Sequence, residues 1–152
     1  MKTKTTLITI ILLLMSSCKQ KQKPGIHFYA RLGNESKVAK LLKKSKNINK
    51  LDSHGRTALH TAILGSDITT RTNQVKTIEL LLKNNININI KDSDGYTALF
   101  YSVLENKPKI LKLLLKYNAD ITIKNKMKKT PLQYAKFMDL KDIVRILKSY
   151  KQ

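Results

Sequence analysis

The chain predicts an all-α repeat solenoid of about four helix-turn-helix units joined by β-turn fingers, and three observations carry that prediction. Thr57-Ala58-Leu59-His60, Thr97-Ala98-Leu99-Phe100 and Thr130-Pro131-Leu132-Gln133 are three copies of one short signature. Thr97 and Thr130 stand 33 residues apart, and Thr57 and Thr97 stand 40 apart, the same beat plus a seven-residue insertion. Each signature is followed by an apolar stripe at helical spacing, and the first two then by a short extended exit. A fixed period of this size means that each unit is one supersecondary piece whose apolar face is covered by its neighbour. Such a stack carries a binding surface more readily than a catalytic site.

The units follow in order from residue 26. Unit one, residues 26–51, opens with the short helix Ile26 to Gly33, continues with Val38, Leu41 and Leu42 at helical spacing, and exits through Asn47-Ile48-Asn49. Unit two, residues 52–91, has the turn Asp52-Ser53-His54-Gly55, a short helix from Thr57 to Ile63, the inserted loop 66–72, and a second helix from Val75 to Leu82. Unit three, residues 92–124, repeats this with Asp92-Ser93-Asp94-Gly95, Thr97 to Val103 and Ile110 to Leu115. Unit four, residues 125–152, begins near Asn125, runs through Thr130 to Ala135 and ends with Ile143 to Leu147. Asp52 and Asp92 read as turn formers whose carboxylates accept backbone N–H groups.

These residues resemble the ankyrin repeat: an Asp-x-x-Gly turn, Thr-Pro-Leu-His, an Ala-rich short helix, a Val-x-x-Leu-Leu helix and an Asn-bearing exit. The resemblance covers residues 22 to 152 and implies a non-catalytic protein-interaction module. It also implies that His27 and His60, at the Leu-His place, tie their helix to neighbouring backbone. Ala58 and Ala98 depart from the family's proline. Ser45, Asn85 and Asn118 stand where a helix-ending glycine is expected, and Asn tolerates the left-handed stop that glycine supplies. Lys128 replaces the turn glycine of unit four, which predicts a looser turn there.

Residues 1–17 read as a targeting segment. Lys2 and Lys4 make a basic start, Leu7 to Met15 is a short apolar run, and Ser16-Ser17 are small residues before Cys18. Nine residues are too few to span a hydrocarbon core of roughly 30 Å. The ending Leu14-Met15-Ser16-Ser17-Cys18 resembles the lipobox of bacterial lipoproteins, with Met15 a departure from the preferred leucine. That resemblance implies cleavage before Cys18, lipidation of its thiol, and a membrane anchor followed by a tether over residues 18–25. Lys19 is not the inner-membrane retention aspartate, so the expected location is the outer membrane, periplasmic side. The alternative is a secreted ankyrin effector that binds host proteins.

The chain carries 30 basic against 10 acidic residues, a net charge of +20, of which Lys2 and Lys4 contribute only two. Lysine supplies 26 of the basic residues and arginine 4, where a nucleic-acid reader would favour the planar arginine fork. Nucleic acid is therefore not the expected partner, and an acidic protein is. Lys, Asn and Ile also share A/T-rich codons, which accounts for the charge without any partner. Cys18 is the single cysteine, so neither an intramolecular disulfide nor a cysteine metal cluster can form.

No Ser/His/Asp or Cys/His set, zinc spacing or glycine-rich phosphate loop is found, so the expectation is no catalysis, no cofactor, no metal and a monomer. Asp92-Ser93-Asp94-Gly95 fails as a calcium loop because Ile90 and Tyr101 occupy the first and closing ligand places. The candidate protein-binding residues are the turn tips Ser53, His54 and Arg56; Ser93, Asp94 and Tyr96; and Lys126, Met127 and Lys129. To these is added one short-helix position that holds Phe28, Thr61, Tyr101 and Tyr134, an aromatic row interrupted by Thr61. Two readings of that row stay open, an exposed anchor for a partner and packing between units.

Overall fold

Three threonines start three of the short helices. Thr57, Thr97 and Thr130 are extended, with ψ of 170°, 169° and 163°, and each turns its side chain back on the first helical turn. Thr97 Oγ1 accepts from the Phe100 N–H at 3.3 Å, and Thr130 Oγ1 accepts from the Gln133 N–H at 3.2 Å. Gln133 returns the favour by accepting the Thr130 N–H at 2.9 Å, and His60 Nδ1 accepts the Thr57 N–H at 3.1 Å.

The computed structural model describes residues 24–65 and 71–150, without the side chains of Arg71 and Thr72. The expected signal segment 1–17, Cys18, most of its tether, and positions 66–70 of the insertion lie outside the described residues. Eight helices are described: α1 (Ile26–Arg31), α2 (Glu35–Leu42), α3 (Ala58–Leu64), α4 (Arg71–Lys83), α5 (Ala98–Leu104), α6 (Pro108–Lys116), α7 (Pro131–Phe137) and α8 (Lys141–Ser149). No strand is assigned among the described residues, and the four units are helix-turn-helix pairs, as the period predicts.

The short helices α1, α3, α5 and α7 stack in order, while α2 packs on α4 and α6 on α8. The core lies between these layers. Leu59, Ile63, Ile78 and Leu81 fill it in unit two, Leu99, Val103, Leu111 and Leu114 in unit three, and Ile143 and Leu147 in unit four, all essentially solvent-free. Each such side chain contributes about 1.5–3 kcal/mol of burial, divided between two units, so no unit holds its own core.

Polar ties lock the register. Asn49 Oδ1 accepts the Asn87 N–H at 2.8 Å and Asn89 Oδ1 accepts the Asp120 N–H at 3.0 Å, so each exit is fastened to the next. Lys107 reaches back to the end of α3, donating to the carbonyls of Ile63 at 2.5 Å and Gly65 at 3.2 Å. The buried Gln74 amide donates to Ala62 and Gly65 at the same helix end.

Asn85 and Asn118 end their helices at φ of 59° and 58°, as expected of glycine substitutes. Ser45 does not; its hydroxyl accepts the Asn47 N–H at 3.2 Å instead. The insertion departs from the expected loop. Arg71 and Thr72 already belong to α4, which runs 13 residues against 9 in α6, so part of the extra length is spent on an added helical turn.

Candidate protein-interaction face

The fingers are three copies of one hydrogen-bonded turn. Asp52 N–H donates to the Arg56 carbonyl at 2.9 Å and Gly55 N–H to the Asp52 carbonyl at 3.0 Å; Asp92, Tyr96 and Gly95 repeat both bonds at the same lengths. The carboxylates do the work read from the sequence. Asp52 Oδ1 accepts from His54 and Arg56 N–H at 2.8 and 3.0 Å, and Asp92 Oδ1 from Asp94 and Tyr96 at 2.9 and 2.8 Å. Adjacent tips are also joined, Ser93 N–H to the His54 carbonyl at 3.0 Å and Lys126 N–H to the Asp94 carbonyl at 3.2 Å. The tips thus form one continuous rail.

The third finger corrects the expectation of a looser turn. Asn125 N–H donates to the Lys129 carbonyl at 3.1 Å and Lys128 N–H to the Asn125 carbonyl at 2.9 Å, so the turn is closed like the others. Lys128 adopts φ of +57° to do it. The neighbour explains why this is tolerated. A Cβ on Gly55 would lie 2.9 Å from Ser93 N, and one on Gly95 2.9 Å from Lys126 N, because the next finger presses there. No described finger follows the third.

Behind the rail, His60 is fully buried and its Nε2 lies 3.2 Å from the Tyr96 carbonyl. Since Nδ1 accepts from Thr57, Nε2 carries the proton and donates across the unit boundary. His27 ties its helix to the Lys50 carbonyl at 2.9 Å, within unit one and not across a unit boundary. Burial lowers the His60 pKa below 6.5 against the opposing pull of the Asp92 charge and of the Tyr96 and Ile90 backbone, so the ring is neutral. Burial works to raise the Asp52 carboxyl, but the Arg56 side chain and the N–H groups of Arg56 and His54 hold it below the usual carboxylate range.

The candidate residues divide into exposed tips and packed side chains. Ser53, His54, Ser93, Asp94, Lys126 and Met127 are exposed. Arg56 is half-buried, held on Asp52 Oδ2 at 2.8 Å, and Lys129 is half-buried with Nζ 3.8 Å from the centre of the Phe137 ring. Tyr96 lies against Phe100 and Tyr101, ring centres 4.9 and 5.8 Å apart. The short-helix row is not one surface. Phe28 is 50% exposed against Tyr29, whereas Thr61 is buried. Tyr101 packs edge-on to His60 and donates its hydroxyl to Asp92 Oδ2 at 2.6 Å; burial first, and this bond second, raise its pKa. Tyr134 stacks on Phe100 at 5.4 Å. Tyr101 and Tyr134 are thus joints between units.

Phe137 and Met138, 70% and 49% exposed beside the third finger, were not among the candidates. Phe137 occupies the place of Leu64 and Leu104, which are half-buried in their own units, so nothing in the repeat pattern sets it apart.

A family model described as ankyrin repeats in three copies matches residues 4–92, 26–125 and 69–152 in overlapping passes. The chain belongs to the ankyrin-repeat family. None of the curated proteins compared matches it. Membership makes the chain a protein–protein interaction module, and the ankyrin stack displays two unlike surfaces. The short helices carry only Arg31 and Lys136 as charged residues. The four longer helices carry eleven Lys or Arg against three Asp or Glu. Along the rail the charge is uneven: the first finger pairs Asp52 with Arg56, the second sets Asp92 and Asp94 against Lys91, and the third carries Lys124, Lys126, Lys128 and Lys129 with no acidic residue. Among the described residues no cluster of His, Cys, Asp and Glu is arranged to hold a metal ion.

Proposed function

We propose that this ankyrin stack is a non-catalytic binding module held at a bacterial envelope by a lipid on Cys18, and that it grips a protein partner along the finger rail. The rail carries the reading. Six exposed side chains of varied chemistry, Ser53, His54, Ser93, Asp94, Lys126 and Met127, sit on a backbone fixed by tip-to-tip hydrogen bonds, so contact with a partner costs little ordering. The exposed Phe137 and Met138 beside the third finger extend it with apolar area. The basic start, the short apolar run and Ser16-Ser17-Cys18 support the anchor. No helix of the described residues is long and apolar enough to cross a membrane. The basic third finger suits an acidic partner, in an inhibitory, immunity-type or scaffold role.

Two measurements test the two halves. Radiolabelled palmitate is expected in the full chain and absent from Cys18→Ser; label in neither sinks the anchor. Crosslinked pull-down is expected to lose its partner in Ser93→Arg/Met127→Glu, which changes exposed tips and leaves the joints intact. An unchanged partner set sinks the rail.

A further inference from the structure

A second recognition site lies on the other side of the stack. Helices α6 and α8 leave a groove of about 700 Å³ between them. Its floor is apolar, with Leu115 buried and Pro108, Ile146 and Tyr150 half-buried. Tyr150 donates its hydroxyl to the Leu115 carbonyl at 3.0 Å and fixes the two helices at that point. One wall is the stripe Lys109, Lys112 and Lys116, at the i, i+3, i+7 spacing that aligns residues on one helical face. All three are exposed, and none makes an ion pair or side-chain hydrogen bond within the described residues. The opposite wall offers Arg145, whose guanidinium has Asp142 as a partner at 2.7 Å, the one carboxylate lining the groove.

We propose that this groove receives an acidic amphipathic helix, its apolar side on Leu115 and Ile146 and its carboxylates facing the lysine stripe. Charge complementarity selects the occupant: four cations against one carboxylate, already paired to Arg145, repel a basic segment, offer a neutral one no attraction and attract an acidic one. The shape decides between an acidic peptide and an anionic membrane. The apolar floor lies between two helices, where a third helix packs ridges into grooves but a flat headgroup surface cannot follow. The stripe covers about 10 Å, two turns of the guest helix. This site is separate from the finger rail, so either can fail without the other.

The test uses the full chain in detergent and a fluorescent peptide with Leu on one helical face and Glu at i, i+3 and i+7 beside it. Anisotropy is expected to show saturable binding that Lys112→Glu/Lys116→Glu weakens about tenfold or more. Charge reversal at Lys76 and Lys83, on α4, is expected to change it less than threefold. Equal losses in the two double variants would reduce the site to diffuse attraction and overturn the proposal. So would absence of binding, or vesicles of phosphatidylglycerol displacing the peptide completely while a Glu-rich peptide without leucines binds as well.

Discussion

The second and third fingers share a hydrogen-bond pattern and differ in what lies against them. At Gly95 the positive φ of 81° is matched by a backbone nitrogen 2.9 Å from where a Cβ would sit. Lys128 holds nearly the same conformation, φ of 57°, with a long side chain that is exposed. Left-handed backbone by itself costs an ordinary residue about 1–2 kcal/mol, which a folded stack can absorb. Left-handed backbone under a stacked neighbour cannot be absorbed without moving that neighbour. The glycine of this repeat is therefore demanded by the next unit as much as by its own turn.

The largest effect should come from breaking that contrast. Gly95→Ala is expected to destabilise by about 3 kcal/mol, combining left-handed strain with displacement of the third finger. Lys128→Gly, which relieves left-handed strain with no described neighbour pressing on the turn, is expected to stabilise by no more than about 1–2 kcal/mol in the same urea titration. A gain at Lys128 as large as the loss at Gly95 would mean that the turn, not the neighbour, sets the requirement.

A smaller effect separates the His60 joint from its neighbour, where Phe100 stands in its place. His60 is neutral in the fold and its pKa lies below 6.5, so between those values the unfolded chain binds a proton that the folded chain refuses. Its contribution is complete above pH 6.5 and is lost as pH falls toward the folded pKa, at no more than about 1.4 kcal/mol per unit. Stability is expected to drop between pH 7 and 5, and His60→Gln, which can form the capping box seen at Gln133, should flatten that slope. An unchanged slope would place the titration elsewhere.

The smallest effect compares the supports of the first two turn carboxylates. Tyr101→Phe removes a 2.6 Å bond to Asp92 and is expected to cost about 1 kcal/mol in thermal unfolding. Arg56→Gln, which releases the more exposed Asp52, should cost less. A reversed order would show that Tyr101 contributes little to the joint.

The period and the turn aspartates were legible in the sequence because each is a local rule repeated in register, and the histidine ties followed from the family resemblance. What was not legible depends on what the fold brings alongside. Tyr101 and Tyr134 occupy an equivalent motif position to Phe28, yet among the described residues only Phe28 has no preceding unit to pack on. Lys128 looked like a defect because the pattern records which residue is usual and not which neighbour enforces it. Asn106 and Asp139 end α5 and α7 at φ of 46° and 51°, a role that Gly33 plays after α1 and that Asn and Asp residues leave unannounced. The α6–α8 groove joins residues some 30 positions apart, and a lysine spacing on one helix does not show which helix will lie beside it.

The rail is tested most directly by site-specific photocrosslinking of the full chain in cells, with a benzophenone side chain at Ser93, at Met127 or, for comparison, at Lys76 on α4. A partner gripped along the fingers gives adducts of one common mass from Ser93 and Met127 and none from Lys76. Adducts from Lys76 with none from either finger would contradict it.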